Sequence, residues 1–159
     1  MFFVEELITH PLFKEGECWE NASFEKDEKI VEEGESSRDL FVVIKGSVRV
    51  LGSIEVTSKS NCQIRPGVFD ISAGEIFGEL SLFDQQPRSA TIVCLEDCEV
   101  IVIDGDKLML FLEENSDIGY KFMCEVTELL VKRLRVSNDK VFSLFAWGLK
   151  THKIDEHLS

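Results

Sequence analysis

The fold class this sequence predicts is mainly β, an antiparallel sandwich or barrel followed by helices. Three observations predict it. From about Glu28 to Asp104, short runs rich in Val, Ile and Phe alternate with turn residues. After Asp104, apolar residues recur at spacings of three, four or their multiples, with Lys, Glu and Arg between them. The 159 residues, 44% of them hydrophobic, allow one compact domain with a sizeable core and one appended element.

Taken in order, the start MFFVEELITHPLF has two early glutamates, no basic segment and too short an apolar run for a secretory leader. The first strand-like run is KIVEEGE (29–35), with a turn glycine at Gly34. DLFVVIKGSVRV (39–50) supplies two strands with a hairpin or corner at Lys45-Gly46. GSIEV (52–56) and GVFDISAGE (67–75) follow, with turn signals at Pro66-Gly67 and at Gly74. ATIVCLEDCEVIVI (90–103) again turns midway, at Glu96-Asp97. Beyond it, Phe111, Ile118, Phe122, Val126, Leu130 and Leu134 form the stripe of an amphipathic helix. Asn115, Ser116 and Asp117 make a polar step that can end one helix and N-cap the next, which runs from near Ile118 towards Val136 or beyond. The expected division is 1–115 for the β-roll, its short N-terminal segment and the helix after it, and 116–159 for C-terminal helices and a fraying tail, THKIDEHLS.

Charge narrows the function classes. Thirty acidic against seventeen basic residues give a net charge of −13, which opposes binding to nucleic acid or to an anionic membrane surface. No window reaches membrane-spanning length. The five cysteines, Cys18, Cys62, Cys94, Cys98 and Cys124, are odd in number and lack C-x-x-C spacing, so they read as reduced thiols of a cytoplasmic protein. His10, His152 and His157 all fall outside the predicted barrel, which argues against a cupin-type metalloenzyme, and the cysteines lack the clustering of an iron–sulfur site. No metal and no cofactor are expected.

One stretch, FGELSLFDQQPRSAT (77–91), carries distinctive chemistry. If residues 74–78 end a strand and Glu79 opens one helical turn, free N–H groups and a partial positive charge face whatever lies before that turn. Gly78 permits close backbone approach. Arg88, following Pro87, can aim a permanently charged planar guanidinium at phosphate oxygens. Glu79 is a poor neighbour for phosphate unless the ligand also brings hydroxyl donors, as a ribose does. Small Ser89 and Ala90 leave room, and the Ser89 hydroxyl can donate or accept. The competing structural reading makes Glu79 and Arg88 a surface ion pair on a loop, with Phe77, Leu80 and Leu82 as core.

FGELSL (77–82), a four-residue spacer and PRSAT (87–91) together resemble the phosphate-binding cassette of the cyclic-nucleotide-binding domain family, which includes protein kinase regulatory subunits, nucleotide-gated channels and the bacterial catabolite activator. VIKGSVRV (43–50) is similar to the strand-turn-strand before that cassette, and RLRVSNDKV (133–141) resembles the dimerisation helix of activator-type regulators. The resemblance spans roughly Phe24 to Val141. It implies a jelly-roll β-barrel flanked by helices, with cAMP or cGMP as ligand. It also implies that Glu79 accepts from the ribose 2′-OH and that Arg88 pairs with the cyclic phosphate. The backbone amides of Gly78, Leu80 and Ala90 and the Ser89 hydroxyl would assist, and Val50 would line the pocket wall.

By the same resemblance Ser137 and Asn138 would reach a nucleobase edge; alternatively they end a helix or cap the next. The face from Phe122 to Leu134 needs burial, by a second copy in a homodimer or within the chain. The cluster Phe142, Leu144, Phe145 and Trp147 suggests either a docking surface or a continued core helix. Activator relatives continue into a basic helix-turn-helix, and this sequence shows no basic recognition helix after Trp147. The expected function is therefore a cytoplasmic cyclic-nucleotide sensor, a switch and not an enzyme, that moves C-terminal helices towards an unidentified protein partner. The alternative is an interaction module with a vestigial pocket.

Overall fold

The structure is a computed structural model that describes residues 2–52, 54–56, 62–64 and 67–151. Pro66 of the expected Pro66-Gly67 turn, His152, His157 and the tail after Thr151 lie outside the described residues.

Among the described residues, the β-rich runs fold as ten strands: β1 (Trp19–Phe24), β2 (Lys29–Val31), β3 (Leu40–Lys45), β4 (Ser47–Leu51), β5 (Ile54–Val56), β6 (Cys62–Ile64), β7 (Gly67–Ser72), β8 (Ile76–Phe77), β9 (Thr91–Cys94) and β10 (Cys98–Ile103). Helix α1 (Phe2–Ile8) precedes them, α2 (Glu79–Asp84) interrupts them, and α3 (Gly105–Glu114) and α4 (Ser116–Thr151) follow. Eight strands make two antiparallel four-stranded sheets, ordered β1-β10-β3-β8 and β2-β9-β4-β7, and β5-β6 pair separately. The fold is thus a β-roll followed by helices.

The turn glycines are corners, not hairpins, because the strands on either side belong to different sheets. Gly46 has φ 86° between β3 and β4, and a Cβ there would sit 2.7 Å from the Asp97 carbonyl oxygen and 2.8 Å from Cys98 Sγ. The Lys45-Gly46 corner therefore packs on the Glu96-Asp97 corner, which carries the chain back from β9 to β10.

Side-chain alternation explains why β3 reads as an unbroken apolar run. Phe41 and Val43 join Val48, Val50, Ile71, Phe77, Ile92 and Val100 in the core between the sheets. Leu40, Val42, Ile76, Ile101 and Ile103 are buried on the opposite face of the first sheet. After α1, His10 and Phe13 both make ring contacts with Phe111 of α3, at centroid distances of 4.9 and 5.1 Å. Each fully buried aliphatic or aromatic side chain contributes about 1.5–3 kcal/mol.

The polar step ends α3 at Asn115, as expected, while Ser116 and Asp117 already belong to α4. Asp104 N-caps α3, its side chain accepting from the Lys107 amide, and Asn115 closes α3 by donating its backbone N–H to the Phe111 carbonyl. α4 then runs unbroken from Ser116 to Thr151, straight through Ser137 and Asn138. These two residues neither end nor cap a helix; the backbone stays helical through both.

The chain divides into two compact units, residues 1–119 and 120–159. In the second unit Phe122 and Val126 are buried, whereas Leu134 and Val141 are exposed. Phe142, Leu144, Phe145 and Trp147 continue the helix but do not form core, being 67–72% exposed. Among the described residues no helix is long and apolar enough to cross a membrane, and no three metal-ligating side chains converge.

Candidate functional site

The first sheet ends at β8 and the second resumes at β9, so the residues between Phe77 and Thr91 must cross from one sheet to the other. Gly78 makes the first bend, with φ 88° and ψ 3°, and no side chain caps the α2 helix that starts after it. A Cβ on Gly78 would lie 2.7 Å from Arg88 Nη1 and 2.7 Å from the Asp39 carbonyl oxygen, so only glycine lets the backbone come this close. The spacer then turns sharply: Gln85 adopts the left-handed conformation at φ 57°, and Asp84 Oδ1 accepts the Gln86 amide at 2.9 Å.

This path delivers Arg88 inward. Its backbone is stitched to the turn after β2, donating to the Glu35 carbonyl and accepting from the Gly34 amide, both at 2.9 Å. The side chain is only 4% exposed. Its guanidinium lies 5.4 Å from the centroid of Phe41, which stacks on Phe77 at 4.8 Å. Nη1 donates to the Gly78 carbonyl at 3.2 Å, and Nη2 donates to Ser37 Oγ at 3.0 Å and to the Asp39 carbonyl at 2.8 Å. Nε is buried and has no hydrogen-bond partner among the described residues. Burial pushes the guanidinium below its ordinary pKa, and the carboxylates of Asp39, Glu35 and Glu79 act in the opposite sense.

Glu79, in the first turn of α2, is also 4% exposed. A surface ion pair on a loop is therefore excluded for Glu79 and Arg88. Gly78, Glu79 and Arg88 are brought together at one end of the inter-sheet core. Ala90 is half-buried, while Leu80 and Ser89 expose their side chains. Val50 faces the core between the sheets and pairs across the strands with Ile92 and Phe69. Ser137 and Asn138 belong to the second unit, exposed on α4.

Two residues of the site, Ser37 and Asp39, were not singled out from the sequence. Ser37 Oγ donates to Asp39 Oδ2 at 2.6 Å and accepts the Asp39 amide at 3.3 Å, a local turn whose signal is the Ser-x-Asp triplet immediately before a strand. A cavity of about 220 Å³, lined by Glu17, Trp19, Glu20, Asp39 and Asp104 among others, shares Asp39 with the site but includes none of residues 77–91, and its acids disfavour an anion.

The arrangement suits a small ligand with a single negative charge. One guanidinium offers donor capacity in a partly desolvated place, and the buried carboxylate of Glu79 rewards a ligand that also donates hydroxyl hydrogens.

The family profile described as cyclic nucleotide-binding domain matches residues 22–115, more than half of the chain. The chain belongs to that family. Among curated proteins, this cyclic nucleotide-binding domain is 29% identical over 116 residues to the cAMP-activated global transcriptional regulator CRP of Salmonella typhimurium, covering 72% of the chain and 50% of that protein. It is 30% identical over 117 residues to the cAMP-activated global transcriptional regulator Vfr of Pseudomonas aeruginosa, covering 71% of the chain and 52% of that protein. The chain thus spans about half the length of the curated relatives it matches. Among solved structures, a cyclic nucleotide-binding domain from Methylobacillus flagellatus superposes with a TM-score of 0.69 at 25% identity, covering 79% of this chain and 67% of the other. The expected β-roll with following helices is the architecture these neighbours share.

Proposed function

We propose that this chain is a cytoplasmic sensor of a 3′,5′-cyclic nucleotide, with cAMP preferred over cGMP, acting through binding and not through catalysis. The observation that carries the reading is Arg88: a buried guanidinium at the crossing between the two sheets, with an unpartnered Nε and a buried Glu79 beside it. In this reading the cyclic phosphate docks on Arg88, aided by the amides of Gly78, Leu80 and Ala90 and the Ser89 hydroxyl. The ribose 2′-OH donates to Glu79, and Val50 walls the pocket. The singly charged cyclic diester matches one arginine in an acidic chain better than a multiply charged phosphate would.

The preference for cAMP is supported by the names of the curated relatives, which are cAMP-activated regulators. Ser137 and Asn138 are proposed base contacts on the strength of RLRVSNDKV (133–141) alone. Ligand binding biases the position of α4, whose exposed apolar residues then meet a second copy or another protein. The relatives are about twice as long as the matched segment, so this reading covers ligand binding and switching and does not extend to transcriptional control.

Isothermal titration calorimetry with cAMP and cGMP tests it. Wild-type protein should bind cAMP, and Arg88→Ala should lose about 2–5 kcal/mol of binding free energy, as when a buried charge loses its partner. Absence of binding to either nucleotide at millimolar concentration would leave an interaction module with a vestigial pocket.

A further inference from the structure

The hydrogen bonds described for the Arg88 guanidinium share one property: every acceptor is formally neutral. They are the carbonyls of Gly78 and Asp39 and the hydroxyl of Ser37. A carboxylate stands one bond further back. Ser37 Oγ accepts from Arg88 Nη2 at 3.0 Å and donates its own hydrogen bond to Asp39 Oδ2 at 2.6 Å. The hydroxyl has a single hydrogen, so donation to Asp39 fixes its lone pairs towards the guanidinium and the Asp39 amide. The same segment fixes the arginine's backbone through Gly34 and Glu35, and Arg38 bridges from it to the Leu82 carbonyl at the end of α2 and to Asp106 in α3.

We propose that Ser37 is a positioning residue for ligand binding: with Asp39 behind it, it orients the Arg88 guanidinium while keeping a carboxylate out of direct contact with it. The proposal rests on the reading of Arg88 as the phosphate-binding group. A carboxylate in the place of the hydroxyl would neutralise the guanidinium in a fork-to-fork pair and compete with an anionic ligand. No acceptor at all would leave the planar group free to turn. The hydroxyl avoids both. Asp39 contributes charge at a distance, and it is the foremost of the carboxylates that favour the charged form of Arg88 against burial.

The test uses the full chain and two readouts. The first is the ¹⁵N–¹H correlation of Arg88 Nε in nucleotide-free protein, assigned by its disappearance in Arg88→Lys. The second is cAMP affinity by calorimetry. Ser37→Ala should shift the Nε resonance, speed its hydrogen exchange with water and weaken cAMP binding roughly tenfold, the scale of one lost hydrogen bond to a charged group. Ser37→Thr, which keeps the hydroxyl, should restore both. Asp39→Asn keeps the backbone acceptor but removes the anchoring charge, and should move the Nε signal in the same direction, providing the test if Ser37→Ala folds poorly. An unmoved Nε resonance in Ser37→Ala and Asp39→Asn, or equal cAMP loss in Ser37→Ala and Ser37→Thr, would overturn the assignment. If wild-type protein binds no cyclic nucleotide, the functional reading fails, and the nucleotide-free Nε signal still decides whether Ser37 holds the arginine.

Discussion

Replacing Gly78 with alanine separates two costs that act on one position. The first is conformational. Gly78 has φ 88°, and an L-residue held in the left-handed region costs about 1–2 kcal/mol. Gly74 has nearly the same φ, 86°, but a Cβ there meets nothing within 4 Å, so Gly74→Ala measures the conformational cost alone. The second cost belongs to Gly78 only. Its new Cβ would stand 2.7 Å from the Asp39 carbonyl oxygen, which is backbone and cannot swing aside, and 2.7 Å from Arg88 Nη1. Relieving such overlap in a packed site costs about 1–3 kcal/mol more. Gly74→Ala should therefore lose about 1–2 kcal/mol and Gly78→Ala about 2–5 kcal/mol in urea denaturation at matched m-value. The displaced guanidinium also loses its bond to the Gly78 carbonyl, so Gly78→Ala should weaken cAMP binding by tenfold or more while Gly74→Ala leaves it unchanged. Equal destabilisation by the two substitutions, together with wild-type affinity in Gly78→Ala, would refute the claim that this glycine exists to admit Arg88.

Two further outcomes follow from titrating groups. Asp104 Oδ1 accepts the Lys107 amide at 3.0 Å, and Lys107 Nζ lies 3.3 Å from Oδ2. Partial burial opposes ionisation of this carboxyl, but the amides and ammonium outweigh it and hold its pKa below the ordinary value. A folded-state pKa below the unfolded one gives stability that is fully present above the unfolded value and is lost as pH falls through the folded one. Asp104→Asn keeps a capping acceptor without the charge, so it should cost about 0.3–1 kcal/mol at neutral pH, and the gap to wild type should close on acidification below the carboxylate range. A gap that is independent of pH in urea titrations would contradict this. Burial likewise pushes the Cys94 thiol up to about 12, with the neighbouring Cys98 adding to the effect. At neutral pH iodoacetamide should modify exposed Cys124 and spare Cys94 and Cys98 until the protein is unfolded, as read by peptide mass spectrometry.

Local chemistry was legible in the sequence, and long-range partnership was not. The corners at Gly46 and Gly74 and the helix end at Asn115 could be read because each depends on a backbone conformation or hydrogen bond close in sequence. The stretch from Gly78 to Arg88 could be read for the same reason, as an ordered string of residue types. β1 escaped because WENASF is a strand with no fully buried residue, three of its six exposed, and its alternation is too weak to signal, although it pairs with β10 along its full length. α1 escaped because its seven residues, about two turns, are too few to show a helical period, although Val4 and Leu7 are buried. Ser37 and Asp39 escaped for a different reason. They stand 51 and 49 residues from Arg88, and only the crossing of the chain between two sheets brings them to its guanidinium.

That crossing also resolves the tension between a net charge of −13 and an anionic ligand. A buried arginine loses solvation and needs negative potential nearby to stay charged, yet the same potential repels a phosphate. The site places the two demands at different distances. Neutral oxygens of Gly78, Ser37 and Asp39 touch the guanidinium, while the carboxylates of Asp39, Glu35 and Glu79 act on it through space. Coulomb attraction decays with distance, whereas a hydrogen bond is lost within an ångström, so the carboxylates can sustain the charge without consuming the donors. Under the proposed function, an incoming cyclic diester would compete at Arg88 with carbonyl and hydroxyl dipoles and not with a full negative charge.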